Sequence, residues 1–262
     1  MIKGMMFSGA VAGQVVFTGD SAADLSTTWV VPEGVYSISA VVVGAYGRAD
    51  ARIKRSSTTL LSVYDTIGTN GVGGGDGGWS GNPGGSYGPL GRAGSGGAGG
   101  YMGNGGDGGS TSSGGSDTIN GTAGANGSGG GGGGGGAGVG TSGYYGQGAH
   151  GGGVGLLGMG SSGTGGAAGV PGGDINGKPG GSGSAGTAKY GAGYTHPDYG
   201  QSEGGNLRWK NDIPVTPGET LTITANRGFF VGYYAPSSLD HQAGIRIMWG
   251  GGRSYPSNAG DI

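Results

Sequence analysis

Alternating apolar and polar residues predict two β-strands early in the chain. One run, residues 28–31, precedes a Pro-Glu-Gly turn at 32–34, and a second run, residues 35–43, follows it. The second run alternates at first and is continuously apolar at 41–43. Alternation with a period of two is typical of a strand with one exposed face, whereas a short unbroken apolar run is typical of a strand covered on both faces. The pattern therefore predicts that the second strand is buried on both faces.

The same kind of pattern appears before and after a long glycine-rich middle. Further predicted strands lie at 48–55, 60–64, 207–210, 220–224 and 244–249. The first of these is locally basic and is expected to be a solvated hairpin strand. No segment combines a helical period with capping residues, so almost no α-helix is predicted. The two ends of the chain together predict an all-β fold: an antiparallel, jelly-roll-like β-sandwich with the glycine-rich middle inserted between its strands.

Glycine recurs at every third residue over long parts of the middle. The longest track runs from Gly88 to Gly109, and shorter tracks with the same spacing follow as far as Gly186. Three residues per turn is the period of the extended polyproline II helix, whose backbone groups point sideways. With glycine along one face, neighbouring helices can approach to roughly 4.8 Å and form lateral hydrogen bonds. The repeat therefore predicts a bundle of polyglycine II helices.

Two other structures are compatible with frequent glycine. A collagen triple helix requires proline at roughly 15–20%, but the chain has only 10 Pro beside 77 Gly in 262 residues. A flexible Gly/Ser linker is the second alternative. Ordering a glycine costs roughly 0.5–1 kcal/mol more than ordering an alanine. An ordered bundle therefore requires that nearly every residue finds a lateral hydrogen-bond partner.

These patterns divide the chain into three parts. Residues 1–67 supply the first strands of the sandwich, with 1–25 as a candidate attachment segment, residues 68–206 form the glycine bundle, and residues 207–262 complete the sandwich. The net charge of −2 gives no attraction for nucleic acid, and no apolar run is long enough for membrane insertion. Cysteine is absent, so disulfides and thiolate metal sites are excluded.

The glycine period is interrupted at three places, and these interruptions contain the candidate binding side chains. They are residues 110–120, 141–150 and 188–202. Tyrosine among Ser, Gly and Asn is typical of adaptable binding loops, because its ring offers a large amphipathic surface at low entropic cost. The alternative is that the tyrosines only cover the ends of the glycine helices. The candidate binding residues are Asp117, Asn120, Tyr144, Tyr145, Gln147, His150, Tyr190, Tyr194, His196, Asp198 and Tyr199.

The sequence does not indicate a catalytic or cofactor site. His196 and Asp198 could form a base and its orienting partner, but no nucleophile or second carboxylate is paired with them. Glycine motifs similar to a dinucleotide fingerprint lack the required strand and helix, and Pro179 after a Gly-Lys pair excludes a P-loop. Residues 103–107 only weakly resemble a calcium-binding repeat. We therefore expect no enzyme activity, no cofactor and no metal site.

Several segments together resemble glycine-rich tail-fibre proteins of bacteriophages. Besides the glycine insertion, the similar segments are WVVPEGV at 29–35, AVVVGA at 40–45, VTPGET at 215–220, GIRIMWG at 244–250 and RSYP at 253–256. The resemblance covers both ends, about half of the chain. The glycine segment is also similar to the tip adhesin of some T-even phage long tail fibres. This chain differs from that adhesin because its strand-forming ends enclose the bundle.

The resemblance implies a fibre or fibre-tip protein that binds a host cell-surface receptor, either a glycan or an outer-membrane protein, through loops between the glycine helices. It also implies other tail-fibre subunits as partners, with a homotrimer as one arrangement. The expected location is the virion, after synthesis in the host cytoplasm. The alternative function is a non-adhesive structural spacer or decoration protein of a virion.

Overall fold

The computed structural model describes residues 11–19, 24–82, 92–114, 118–141, 144–170, 173–183, 190–196, 200–226 and 242–260. In chain order, the strands within these residues are β1 (Gly13–Thr18), β2 (Leu25–Val30), β3 (Ser37–Val43), β4 (Ala51–Arg55), β5 (Thr58–Ser62), β6 (Gly73–Gly75), β7 (Thr111–Gly114), β8 (Thr118–Gly121), β9 (Gly140–Thr141), β10 (Tyr144–Tyr145), β11 (Thr195–His196), β12 (Gly200–Gln201), β13 (Leu207–Pro214), β14 (Thr220–Ala225) and β15 (Gly244–Trp249). One 3-10 turn, Tyr46–Arg48, is the only helical element in this part of the chain. The predicted all-β fold is therefore confirmed.

Two antiparallel sheets form a sandwich around one apolar core. The inner sheet has the strand order β1-β15-β3-β13-β6, and the outer sheet has the order β2-β14-β4-β5. Buried residues between the sheets include Ile38 and Ile245 from the inner sheet and Ile53, Leu61 and Ile223 from the outer sheet. Because each sheet contains strands from both ends of the sequence, neither end can complete the core alone.

Most predicted strands are shifted by a few residues at one or both ends, and three features of the sheets were not expected from the sequence. β1 pairs with β15 along its whole length, so part of the 1–25 segment belongs to the sandwich. β6 lies in the glycine-rich part of the sequence but pairs with β13 at the edge of the inner sheet. β13 continues to Pro214 because a bulge after Lys210 lets it resume its pairing with β3.

The second face of the inner sheet is covered by the glycine segment, which we define as residues 76–206. Val43 and Met248 of the sheet pack with Tyr101 and Tyr190 of the glycine segment in a second buried cluster. β3 is therefore buried on both faces, as predicted. The molecule has three layers: outer sheet, inner sheet and glycine segment.

Backbone hydrogen bonds in the centre of the glycine segment repeat every three residues. Three successive N–H groups donate to three different neighbouring runs of chain, and the next three donate to the same runs in the same order. The bonds are Gly132 to Ala98, Gly133 to Gly181, Gly134 to Ala125, Gly135 to Ser95, Gly136 to Lys178 and Ala137 to Thr122, with N···O distances between 2.8 and 3.0 Å. The carbonyl groups of 132–134 accept from three further runs. The central run, residues 130–139, is therefore bonded to six neighbours.

Glycine is required in the central run because the neighbouring backbones come too close for a side chain. A Cβ at Gly133 would overlap the carbonyl oxygen of Thr164, and a Cβ at Gly136 would overlap that of Ala167. Close approach allows each backbone group to reach a lateral partner, which compensates for the entropy lost in ordering glycine. Lateral backbone bonding replaces apolar packing in this part of the molecule.

Candidate functional site

The glycine segment has a near end, which packs on the inner sheet, and an opposite far end. The near end is marked by Tyr101 in the second buried cluster. As the central run proceeds from 132 to 138, its partners in one neighbouring run change from Ala98 to Ser95 to Arg92, away from Tyr101. The far end is therefore the end at which the central run finishes.

Two of the three interruptions of the glycine period reach the far end. Gly109 donates its N–H to the carbonyl of Gly135, so the loop that starts at Thr111 begins just beyond this point of the central run. Strand β9 continues directly from the end of the central run. The third interruption is held beside the sandwich instead, because the ring centroid of Tyr194 lies 5.7 Å from that of Tyr46 and Tyr194 packs against the sandwich core. The register of the backbone hydrogen bonds thus collects two of the candidate loops at one end of the scaffold.

Two of the candidate loops pair with each other in a four-stranded far sheet. Its strand order is β10-β9-β8-β7, in which β8 pairs with both β7 and β9. The far sheet contains Asn120, whose side chain is exposed, together with the backbone positions of Tyr144 and Tyr145. Asp117 lies outside the described residues. Residues from separate interruptions are therefore neighbours in one sheet.

The third candidate loop forms a separate two-stranded hairpin. β11 pairs antiparallel with β12, and His196 pairs with Gly200. Asp198 and Tyr199, between these strands in sequence, lie outside the described residues. This hairpin follows directly on Tyr194, whose ring packs against the sandwich core.

His150 and Tyr194 brace the base of this hairpin. Their rings stack with centroids 4.9 Å apart and planes inclined by 8°. The backbone N–H of Thr195 donates to Nδ1 of His150 at 3.0 Å, which requires an unprotonated Nδ1. Both ring-bearing side chains are half-buried, and burial raises the pKa of the Tyr194 hydroxyl. These two predicted contact residues therefore have an identifiable structural role.

A buried hydroxyl pair ties the hairpin to the bundle. The Thr195 hydroxyl donates to the carbonyl of Ala149 at 3.0 Å, and Ser95 Oγ lies 2.6 Å from the same hydroxyl oxygen. Because the Thr195 hydrogen goes to the carbonyl, Ser95 is the donor in the pair. Ser202 Oγ accepts the backbone N–H of Tyr194 at 2.7 Å. Sequence reasoning missed Ser95 because no local signal distinguishes it from other serines among glycines.

The remaining candidates, Tyr190 and Gln147, differ in position. Tyr190 is 5% exposed and lies in the near-end cluster, where burial raises the pKa of its hydroxyl. Its ring fills space left by Gly244, since a Cβ there would overlap the ring. The expectation that Tyr190 belongs to an exposed contact loop is therefore corrected. Gln147 is half-buried, and its N–H donates to Oδ1 of Asn176 at 2.9 Å.

Within the described residues, no group of three or more His, Cys, Asp or Glu is placed to hold a metal ion. In the same part of the chain, no helix has the length and apolar character needed to cross a membrane. Comparison of the chain with protein-family models, with curated proteins and with solved structures gives no match. The functional conclusion must therefore come from the geometry of the far end and from the sequence.

Replacing His150 with phenylalanine is expected to keep the ring stack but loosen the hairpin. The N–H of Thr195, a residue only 6% exposed, would lose its acceptor. An unsatisfied buried N–H costs about 1–3 kcal/mol, so exchange of the Thr195 amide hydrogen should accelerate by about tenfold or more. NMR hydrogen exchange measures this rate, with the amide of Gly133 as an internal reference. Unchanged protection of Thr195 would show that His150 does not brace the hairpin.

Proposed function

We propose that this chain is a receptor-binding module of a bacteriophage tail fibre or fibre tip, and that it contacts the host cell surface through its far-end loops. The observation that carries the proposal is the hydrogen-bond register, which directs two separate loops to the end opposite the sandwich. The resemblance to glycine-rich phage fibres supports the same function. A receptor would be a glycan or an outer-membrane protein.

The proposal includes a polyglycine II conformation for the glycine segment, which stays a prediction. The three-residue repeat of the donors and the six neighbours of the central run support it. At 3.1 Å per residue, residues 130–139 would span about 28 Å. Such a scaffold would hold the loops away from the sandwich in fixed positions. Fixed loops lose less conformational entropy on binding, which favours affinity.

The second candidate function is a structural spacer or decoration protein of the virion. It is favoured by β1 and β2, which are edge strands of the inner and outer sheets and could pair with strands of a neighbouring subunit. Locating the chain in assembled particles by labelled antibodies separates the two functions. A position at the fibre tip supports receptor binding, and a position along a shaft or shell supports the spacer.

A triple variant of the far sheet, Asn120→Ala with Tyr144→Ala and Tyr145→Ala, is expected to lose host binding while remaining folded. Loss of two aromatic contacts and one amide should weaken competition by at least about tenfold. The measurement is the concentration of purified chain that blocks half of the adsorption of the parent phage to its host cells.

The matched control is Met102→Ala, because Met102 is 64% exposed but lies at the near-end turn. This control should compete like the unaltered chain. Circular dichroism of both variants verifies that they are folded. A folded triple variant that competes as well as the unaltered chain would exclude the far sheet as the receptor site.

A further inference from the structure

One side of the glycine segment carries three parallel rows of side chains, which we call the side face. The first row is Asp76, Trp79 and Asn82; the middle row is Asn104, Asp107 and Ser110; the third row is Ser128, Ala125 and Thr122. Within each row the residues are three positions apart, so they project in the same direction from an extended threefold run. Seven of these nine residues are exposed, and Asp76 and Ser110 are half-buried. We call a set of three neighbouring residues, one from each row, a level. The last level of the side face, formed by Asn82, Ser110 and Thr122, adjoins the far sheet, because Ser110 precedes β7 and Thr122 follows β8.

Hydrogen bonds hold the three rows in register. At the middle level, formed by Trp79, Asp107 and Ala125, the N–H of Trp79 donates to Oδ1 of Asp107 at 2.8 Å, and the N–H of Gly108 donates to the carbonyl of Trp79 at 2.9 Å. The carbonyl of Asp107 accepts the N–H of Ala125 at 2.8 Å. The same three kinds of bond recur at the levels above and below.

The regular bonding fixes the dimensions of the side face. Neighbouring levels are about 9 Å apart for a rise of 3.1 Å per residue, and neighbouring rows are about 5 Å apart, as in other laterally bonded backbones. With the proposed polyglycine II rise, the three levels would span about 19 Å. Because the side-chain acceptors Asn104, Asp107 and Ser110 are themselves bonded to the backbone, their rotamers are restricted. A ligand on this surface would meet groups in preset positions.

Trp79 is the one large aromatic residue on the side face, and 59% of it is exposed. An indole presents a flat apolar surface and a polar N–H edge. A pyranose ring has the complementary chemistry, with an apolar C–H face and a rim of hydroxyl groups. Trp79 has Asp76, Asn82 and Asp107 as its neighbours in the rows, and their amide and carboxylate groups together can donate to and accept from sugar hydroxyls.

The charge of the side face favours an uncharged ligand. Its nine residues include two carboxylates and no Lys or Arg. Arg208 pairs with Asp76, whereas Asp107 bonds to a backbone N–H, so the face keeps negative character. An anionic polymer would be repelled. A protein partner is a poor fit, because protein interfaces bury several apolar groups at their centre and this face offers one.

We propose that the side face binds a neutral polysaccharide, with a sugar ring stacked on Trp79 and the flanking rows hydrogen-bonded to its hydroxyl groups. Such a second site would let a glycan chain lie along the glycine segment. This inference does not require that the far-end loops bind a receptor.

The test uses the purified full chain with dextran, mannan and a soluble β-glucan as neutral probes and with alginate as an anionic comparator. Affinity electrophoresis should show retardation by at least one neutral probe, and tryptophan fluorescence should change on its addition. Trp79→Ala should weaken this binding by about tenfold or more, whereas Trp79→Tyr, which keeps an aromatic face, should retain most of it.

Trp79→Ala removes an outward side chain and keeps the backbone bonds of residue 79, so the variant should fold. The far-sheet triple variant provides the comparison and should bind the probe like the unaltered chain. Binding that survives Trp79→Ala, binding that is lost in the triple variant, tighter binding of alginate, or no retardation by any neutral probe would each overturn the proposal. None of these results decides whether the far-end loops bind the host.

Discussion

Replacing Arg246 with methionine is expected to lower the free energy of unfolding by about 3–5 kcal/mol. Arg246 is fully buried in the inner sheet, at 0% exposure. Its guanidinium donates to Oε1 of Gln14 and to the carbonyls of Leu156, Ala259 and Gly260. Methionine fills a similar volume but donates no hydrogen bond. Buried carbonyl oxygens that lose their donor account for the destabilisation.

The expected effect is large because Arg246 joins parts of the chain that are far apart in sequence. Gln14 belongs to β1, Leu156 to the near end of the glycine segment, and Ala259 to the C-terminal residues that pack beside it. All of these described acceptors are uncharged oxygens, so the guanidinium acts as a five-donor connector. Loss of the connector weakens the attachment of the glycine segment and of β1 to the sheet together.

Thermal unfolding monitored by circular dichroism tests this prediction. A loss of 3–5 kcal/mol corresponds to a fall in Tm of about 10 °C for a chain of this size. Arg246→Lys should fall between methionine and the unaltered chain, because lysine keeps the charge but has three donors in place of five. Lys178→Met is the control, since Lys178 forms an exposed ion pair with Asp174 and such pairs contribute little. A Tm for Arg246→Met within about 2 °C of the unaltered chain would contradict the connector role.

The sandwich was largely predictable because strand periodicity is local. The predicted run at 244–249 is β15 without any shift, and the apolar run at 41–43 is buried on both faces as expected. The end of β13 was not predictable, because the strand resumes after its bulge only through pairing with β3. β6 was missed for a similar reason: its three glycines carry no strand signal, and the partner strand determines their conformation.

The candidate site was predictable only in part. Breaks in the glycine period located the three loops, because a side chain is excluded from the positions at which neighbouring runs come closest. The end of the glycine segment at which each loop lies depends on hydrogen bonds between runs that are distant in sequence. The spacing of the glycines carries no information about these pairings. Tyr190 illustrates the limit, since its burial depends on space left by Gly244 in another strand. His150 likewise gained its bracing role from Thr195, which is distant in sequence.

Gly133→Ala is expected to destabilise the chain by about 3–5 kcal/mol, or to prevent folding, despite adding only one methyl group. The new Cβ would overlap the carbonyl oxygen of Thr164, which accepts the N–H of Gly181 at 2.7 Å. Gly133 itself donates to Gly181 at 2.9 Å and accepts from Gly152 at 2.7 Å. Backbone groups cannot move aside as a flexible side chain can, so several lateral bonds must lengthen together.

Gly173→Ala is the matched control for this change. Gly173 lies in a turn of the same glycine segment, its φ is not in the left-handed region, and the nearest atom to an added Cβ is 3.7 Å away. Alanine there should be neutral or stabilising by about 0.4–1 kcal/mol, because it reduces the freedom of the unfolded chain. Urea unfolding of both variants measures the difference. Equal stability of the two variants would mean that the central run has room for side chains, and the close lateral bonding inferred for the glycine segment would then be wrong.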